Sequence, residues 1–436
     1  MNSTDITKFL VENEIHSSCF DFDEELKKFL EDMDMGLAKK GGGSMLMIPT
    51  YISVEKTVPL NERIIVIDAG GTNFRVAVLM FDSCKKPQIE YFENYAMPGT
   101  DSVITVEEFF DKVASYILPV ADRSDKIGFC FSYAVDMMPN KDGKIVRFCK
   151  EVEIKNAVGA KVCEGVAAAL ARAGVTKKKK FVLINDTVAT LLGGFANENS
   201  VDYSAFIGFI LGTGINACYP ERAERIKTFD RADYKKDNMI INTECGSYNK
   251  VKRGPSDIEL DKKSSQPGTT IFEKMLSGVY LGKLMCLSAK LAAANGFFSE
   301  SFSERLAAIE QFSLKDIDMY CAGKTDNAVF ELCRGDSKSE DGAMLRVIIE
   351  AVYDRAAKFA ICALLALALK TGEGKTPNRP ICVCADGSTI HKSAILKGRI
   401  NAYNDEYAKG KYGVYMDIVK VENSVLIGTA VAGLNN

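Results

Sequence analysis

Two glycine-rich turns in this chain carry residue types suited to handling phosphate. The first, VIDAGGTNFRVAV at residues 66–78, sets an apolar arm, the acid Asp68, the turn Gly70-Gly71-Thr72 and a second apolar arm in one short stretch. Its spacing fits neither the dinucleotide fingerprint nor a P-loop, which needs a Gly-Lys-Ser/Thr ending. It predicts a β-hairpin, RIIVID running in and FRVAVLMF running back, with glycines that accept positive φ and let a ligand approach the main chain. Taken alone, that is a tight structural hairpin. The second stretch, SAFIGFILGTGINACY at residues 204–219, repeats the pattern with Gly212-Thr213-Gly214 and Asn216. Two such turns facing each other across a cleft would offer backbone N–H groups and threonine hydroxyls to a polyphosphate from both sides. A further acid, Asp186, ends the apolar run FVLIND and precedes VATLLGGF. Its position reads as a helix N-cap, and a carboxylate at the end of a buried strand also suits accepting a proton from an alcohol.

Other chemistries have too few residues. His16 and His391 are the only histidines, which nearly excludes histidine-based zinc or triad catalysis. The 13 cysteines are odd in number and lack a disulfide-like spacing; with a polar N-terminus they point to a reducing cytosol. Cys382 and Cys384 alternate in ICVCADGS and read as core thiols. A net charge of −3 gives no footprint for nucleic acid or an anionic membrane, and the basic run at residues 177–180 reads as a solvated turn. The apolar run FAICALLALAL, residues 359–369, is too short to span a bilayer and predicts a buried helix. A cytoplasmic protein without nucleic-acid or membrane partners is expected.

The elements that must hold these residues alternate. Phe22, Leu26, Phe29, Leu30, Met33 and Leu37 share one face of an amphipathic helix over residues 22–37, which KKGGGS ends. From residue 61, strand signals (RIIVID, FRVAVLMF, KIGFCFSYAV) give way to the helical AKVCEGVAAALARAG and then to FVLIND, as in an α/β domain. The pattern restarts at residue 204, which implies an internal duplication.

Eight segments in series resemble the sugar kinases of the hexokinase family. MLMIPTYIS is similar to the family's segment before its first domain, IDAGGTNFRV to its first phosphate motif, and IGFCFSYAV through RFCKEVEI to its sugar-binding segment. INDTVATLL resembles the motif with the catalytic aspartate, LGTGINACY the second phosphate motif, INTECGSY and FEKMLSGVYLG two later sugar-binding stretches, and ADGSTI the adenosine-side motif. The resemblance implies two ribonuclease-H-like α/β domains of the actin-like ATPase type with a cleft between them. Residues 61–186 plus 423–436 would form the smaller domain, and residues 1–60 plus 187–422 the larger. It also implies ATP-dependent phosphorylation of the 6-hydroxyl of a hexose, glucose foremost, by a monomer or homodimer. A sugar-binding regulator and an actin-like ATPase share the fold, but the first would be expected to lose the base and the second has no use for the sugar segments.

The same resemblance implies roles residue by residue. Asp186 would be the general base, with Lys150 beside it. Ser132, Asn185, Asn216, Glu244 and Glu273 would bind the sugar. Asp68, Gly70, Gly71, Thr72, Asn73 and Arg75 would line one phosphate turn, Gly212, Thr213 and Gly214 the other, and Gly387 with Ser388 the adenosine. Asp68 would reach Mg²⁺ through water, which fits a cation that keeps most of its hydration. Bland readings stand beside some of these: an exposed helical glutamate for Glu273, a surface charge for Lys150, a strand-surface arginine for Arg75. The chain also departs from the family's pattern. Ser132-Tyr133-Ala134 replaces Ser-Phe-Pro, Phe148-Cys149-Lys150-Glu151 replaces Trp-Thr-Lys-Gly, and Ser424 falls where the Gly-x-Gly-Ala-Ala helix entry would supply glycine. A cysteine donates a hydrogen bond poorly where a threonine hydroxyl would meet the sugar.

Overall fold

Both predicted hairpins form, and each opens a sheet of the same topology. The computed structural model describes residues 3–54, 57–71, 73–148, 152–197, 201–334 and 339–436. In the first half, β1 (Ile64–Ala69), β2 (Asn73–Phe81) and β3 (Pro87–Ala96) run antiparallel in sequence. β4 (Lys126–Phe131) pairs parallel to β1, the hairpin β5 (Ala134–Met137) and β6 (Gly143–Arg147) projects beyond the sheet, and β7 (Lys180–Ile184) pairs parallel to β4. The second half repeats this with antiparallel β8 (Ala205–Leu211), β9 (Ile215–Arg222) and β10 (Asn238–Asn242), then parallel β11 (Ile381–Asp386) and β12 (Met416–Val419). The sheet orders are therefore β3-β2-β1-β4-β7 and β10-β9-β8-β11-β12, with a two-residue strand, Ile48–Pro49, extending the second. β1 is buried along its whole length, as a strand covered on both faces must be.

Two helices join the sheets. Asp186–Ala196 packs on the second sheet and Ser424–Leu434 on the first, and they pack against each other. Their crossing is close because it is made at glycine: a Cβ on Gly193 would strike the Ser424 carbonyl, and one on Gly428 the Ala189 carbonyl. One apolar cluster runs through this layer, from Ile64 and Val66 on β1 through Val188 and Leu191 to Ile427 and Val431. Cys382 and Cys384 are buried against Gly194 of the same layer.

The large half is built on a 32-residue helix, Glu340–Thr371, which contains the apolar run of residues 359–369. The amphipathic helix runs Phe22–Ala38, capped by Asp21, whose side chain accepts the Glu24 N–H at 2.8 Å. Among the described residues no helix is long and apolar enough to cross a membrane, and every described cysteine is a free thiol. The basic run differs from expectation. Lys179 is buried, with its ammonium donating to the carbonyls of Ala121 and Ser124, so these backbone oxygens replace water around the charge.

Candidate active site

The strand ends of the two sheets meet at a cleft of about 850 Å³. Such crevices at the carboxyl ends of strands are where open α/β sheets take ligands. Asp68, Gly70, Gly71, Asn73 and Arg75 line it from the first turn, and Gly212, Thr213 and Gly214 from the second. Ser132, Asn185, Asp186, Glu244 and Glu273 share the same walls, as do Gly387 and Ser388. Asn216 is not among these lining residues; its side-chain amide donates to Glu244. Thr72 and Lys150, with Cys149 and Glu151, lie outside the described residues.

Asp186 is the first residue of its helix, and the N-cap is Asn185, one residue earlier than the capping alternative placed it. The Asn185 side-chain oxygen accepts the Thr187 N–H at 2.9 Å, and Asp186 Oδ1 accepts the same N–H at 2.8 Å. A carboxylate at a helix N-terminus is favoured by the unpaired N–H groups there. Burial nevertheless pushes Asp186 above the usual carboxylate range, opposed by hydrogen bonds from Ser132 and Thr187. The result is a desolvated carboxylate held in place by hydrogen bonds.

Glu244 sits in the left-handed region at φ 52°, an unusual backbone state for a glutamate that turns its side chain toward an amide cluster. Its Oε1 accepts from Asn216 Nδ2 at 3.0 Å and from Asn242 Nδ2 at 2.8 Å, and Asn216 Nδ2 also donates to Asn242 Oδ1 at 2.8 Å. Burial raises Glu244 as well. Asn242 was missed in the sequence; its one signal is a polar residue closing the apolar strand NMIIN.

Glu273 is not the exposed helical glutamate of the bland reading. It is half-buried at the start of the helix Ile271–Leu276, and Oε2 accepts the Ile215 N–H at 3.2 Å. Burial raises it, opposed by that backbone bond. Gly214 makes this possible, since a Cβ there would lie 2.5 Å from Glu273 Oε2.

At the first glycine turn, Arg75 is not an idle strand-surface arginine: its Nη1 lies 3.1 Å from Asp68 Oδ2. Burial pushes Asp68 up to about 6; Arg75 opposes this and the charge of Asp186 adds to it. The Gly212 carbonyl accepts from Gly278 N at 2.8 Å and from Thr389 Oγ1 at 2.8 Å, which fixes the second turn. Gly387 takes φ 116°, where a side chain would meet the Leu211 carbonyl, so only glycine fits. Asp386, also missed, accepts the Gly387 N–H at 2.6 Å and faces Ser424 Oγ at 3.3 Å. A second missed contact bridges the cleft, from Arg147 Nη1 on β6 to Gln266 Oε1 at 3.2 Å. Among the described residues, no group of three or more His, Cys, Asp or Glu side chains could hold a metal ion by itself.

Comparisons with known proteins agree with this geometry. Two family profiles, both described as hexokinase, match residues 10–195 and 206–434. Hexokinase-5 of Oryza sativa is 29% identical over 426 residues, covering 92% of this chain and 81% of that protein. The chloroplastic hexokinase-4 of the same plant is 33% identical over 310 residues, covering 68% of this chain and 59% of the relative. Hexokinase-1 of Schizosaccharomyces pombe is 29% identical, covering 87% and 80%. In fold, the chain matches a Schistosoma mansoni hexokinase complexed with glucose at a TM-score of 0.75 and 22% identity, over 100% of both chains. The profile that matches residues 206–434 spans more than half of the chain, and with the shared topology it shows that the chain belongs to the hexokinase family.

Proposed function

We propose that the protein transfers the γ-phosphoryl group of ATP to the 6-hydroxyl of a hexose, glucose foremost, with Asp186 as general base. The observation that carries this reading is one cleft shared by a buried carboxylate at a helix N-terminus, two glycine turns and an amide–carboxylate cluster. Phosphoryl transfer asks a protein mainly to align, to neutralise charge and to accept one proton. The hexose hydroxyls would take donors and acceptors from Ser132, Asn185, Glu244 and Glu273, with Asn216 and Asn242 orienting Glu244. That alignment leaves the 6-hydroxyl beside Asp186, which takes its proton as the oxygen bonds to phosphorus and ADP departs.

The two turns would receive the phosphates, with Gly387 and Ser388 bordering the nucleoside. Mg²⁺ would arrive with ATP and neutralise phosphate charge. Asp68, buried beside the first turn and close to Asp186, fits as its water-mediated partner; Arg75 would exchange Asp68 for phosphate oxygens. Closure of residues 61–186 plus 423–436 on the remainder would exclude water as a competing acceptor. We place the activity in the cytosol, on the strength of the free cysteines.

The test is a coupled assay of ADP formation with glucose, mannose, fructose, glucosamine and N-acetylmannosamine. Glucose-dependent turnover is expected. If none of these sugars stimulates ADP release, the reading fails.

A further inference from the structure

We propose that Tyr133 is a positioning residue that ties the sugar segment to the first phosphate turn, so that hexose and nucleotide affinities are coupled through its hydroxyl. The inference rests on the hexokinase reading above and deepens it. Tyr133 follows Ser132 directly, and Ser132 N–H donates to the Ala69 carbonyl at 3.1 Å, at the last step before the turn. The Tyr133 ring is buried between Phe131 and Phe148, with centroids 5.0 and 4.8 Å away. Its hydroxyl donates to the Gly70 carbonyl at 2.5 Å, and the Gly71 carbonyl lies 3.3 Å from it.

The ring therefore belongs to the sugar segment, and the hydroxyl belongs to the phosphate turn. Its own backbone closure is the Gly70 N–H to Asn73 carbonyl bond at 3.0 Å, while a Cβ on Gly71 would meet no atom within 4 Å. A planar trans peptide sets its carbonyl and the following N–H on opposite sides. Holding the Gly70 carbonyl toward Tyr133 thus turns the Gly71 N–H the other way, and a rotation of this one peptide would change what the turn offers to phosphate. A hexose that orders Ser132 and Phe148 sets the ring, the ring sets the hydroxyl, and the hydroxyl sets the turn. Where the family's pattern has phenylalanine the third step has no atom to make it.

Affinity coupling between two ligands is reciprocal, so it can be read from either side. The experiment measures the dissociation constant of a non-hydrolysable Mg-ATP analogue with and without saturating glucose, by titration calorimetry on the full chain. In the wild type, glucose is expected to tighten the analogue about tenfold, within the usual span of such couplings. Tyr133→Phe is expected to bind each ligand alone within about twofold of the wild type, with the tightening reduced to about twofold or less. Phe131→Leu loosens the same packing but keeps the hydroxyl; it should lower thermal stability and retain the coupling. Full coupling in Tyr133→Phe, or equal loss in both variants, overturns the role of the hydroxyl while leaving the hexokinase reading intact. A wild type that binds the analogue but not glucose overturns both.

Discussion

The two glycine turns look alike in sequence and are held in different ways. The second has its glycines built into their neighbours while Thr213 is exposed: a Cβ on Gly212 would lie 3.3 Å from Gly387, the Gly212 carbonyl is bonded by Gly278 and Thr389, and Gly214 makes room for Glu273. The first is closed by its own Gly70–Asn73 backbone bond and held by the Tyr133 hydroxyl, and a Cβ on Gly71 would meet nothing within 4 Å. Both turns line the cleft, but the lack of a Cβ is demanded by the protein's own packing at Gly214 and by no described neighbour at Gly71. On the proposed reading, glycine in the first turn serves the approach of a ligand.

Substitutions can separate these uses. The largest effect is expected between the turns, at Asp186. Asp186→Ala should lower kcat about 10³-fold, a general base being worth about 10²–10⁴, with sugar affinity nearly kept; unchanged turnover would remove it from the mechanism. Next, Gly387→Ala forces a side chain against the Leu211 carbonyl at a positive φ. It should cost about 2–3 kcal/mol in denaturant unfolding, whereas Gly71→Ala should leave stability within about 0.5 kcal/mol. Equal losses at the two sites would dissolve the contrast.

Kinetics should then divide the turns by ligand. Gly71→Ala is expected to raise KM for MgATP about tenfold with the hexose KM unchanged, the loss of roughly one hydrogen bond to a charged group. Gly214→Ala should raise the hexose KM as well as that for MgATP, because the Cβ displaces the Glu273 carboxylate; that group can swing, so stability should hardly fall.

The smallest effect is one of pH. Asp68 has its folded pKa raised to about 6, so the protonated form contributes stability to the ligand-free protein that is fully present below pH 4 and lost as pH rises through 6. On the proposed reading the ionised form faces the magnesium nucleotide, so binding of that ligand should improve over the same range. From pH 5.5 to 6.5 the ionised fraction rises about threefold, and KM for MgATP should fall by about that factor. Asp68→Asn should flatten the profile. A profile that stays as steep would assign the titration elsewhere.

How much of this was legible depends on how local each cause is. The hairpins were readable because a glycine turn between two apolar arms states its own geometry within a dozen residues. The duplication was readable because the same statement occurs twice. Glu273 was ambiguous in isolation: TTIFEKML makes an ordinary helix start, and only Ile215 and Gly214, far away in sequence, draw the carboxylate inward. Lys179 misled for the same reason, as its partners are carbonyls on the 121–125 segment. Asp386 and the Arg147–Gln266 contact had no local signature, and Asn242 had only that of a polar residue closing an apolar strand. The resemblance to a family carried the roles of Ser132 and Glu244, which composition and spacing could not.

The glycine crossing of the helices Asp186–Ala196 and Ser424–Leu434 has a mechanical meaning. Each helix rides on a different sheet, so any swing of one sheet relative to the other turns about their contact. In a rigid rotation, displacement grows with distance from the axis. Asp186 stands at the end of one crossing helix and Ser424 at the start of the other, so both have short lever arms. The outer hairpin β5–β6 and the segment bearing Gln266 have long ones. Such a swing would therefore open the cleft most at its rim while Asp186 keeps nearly the same bearing.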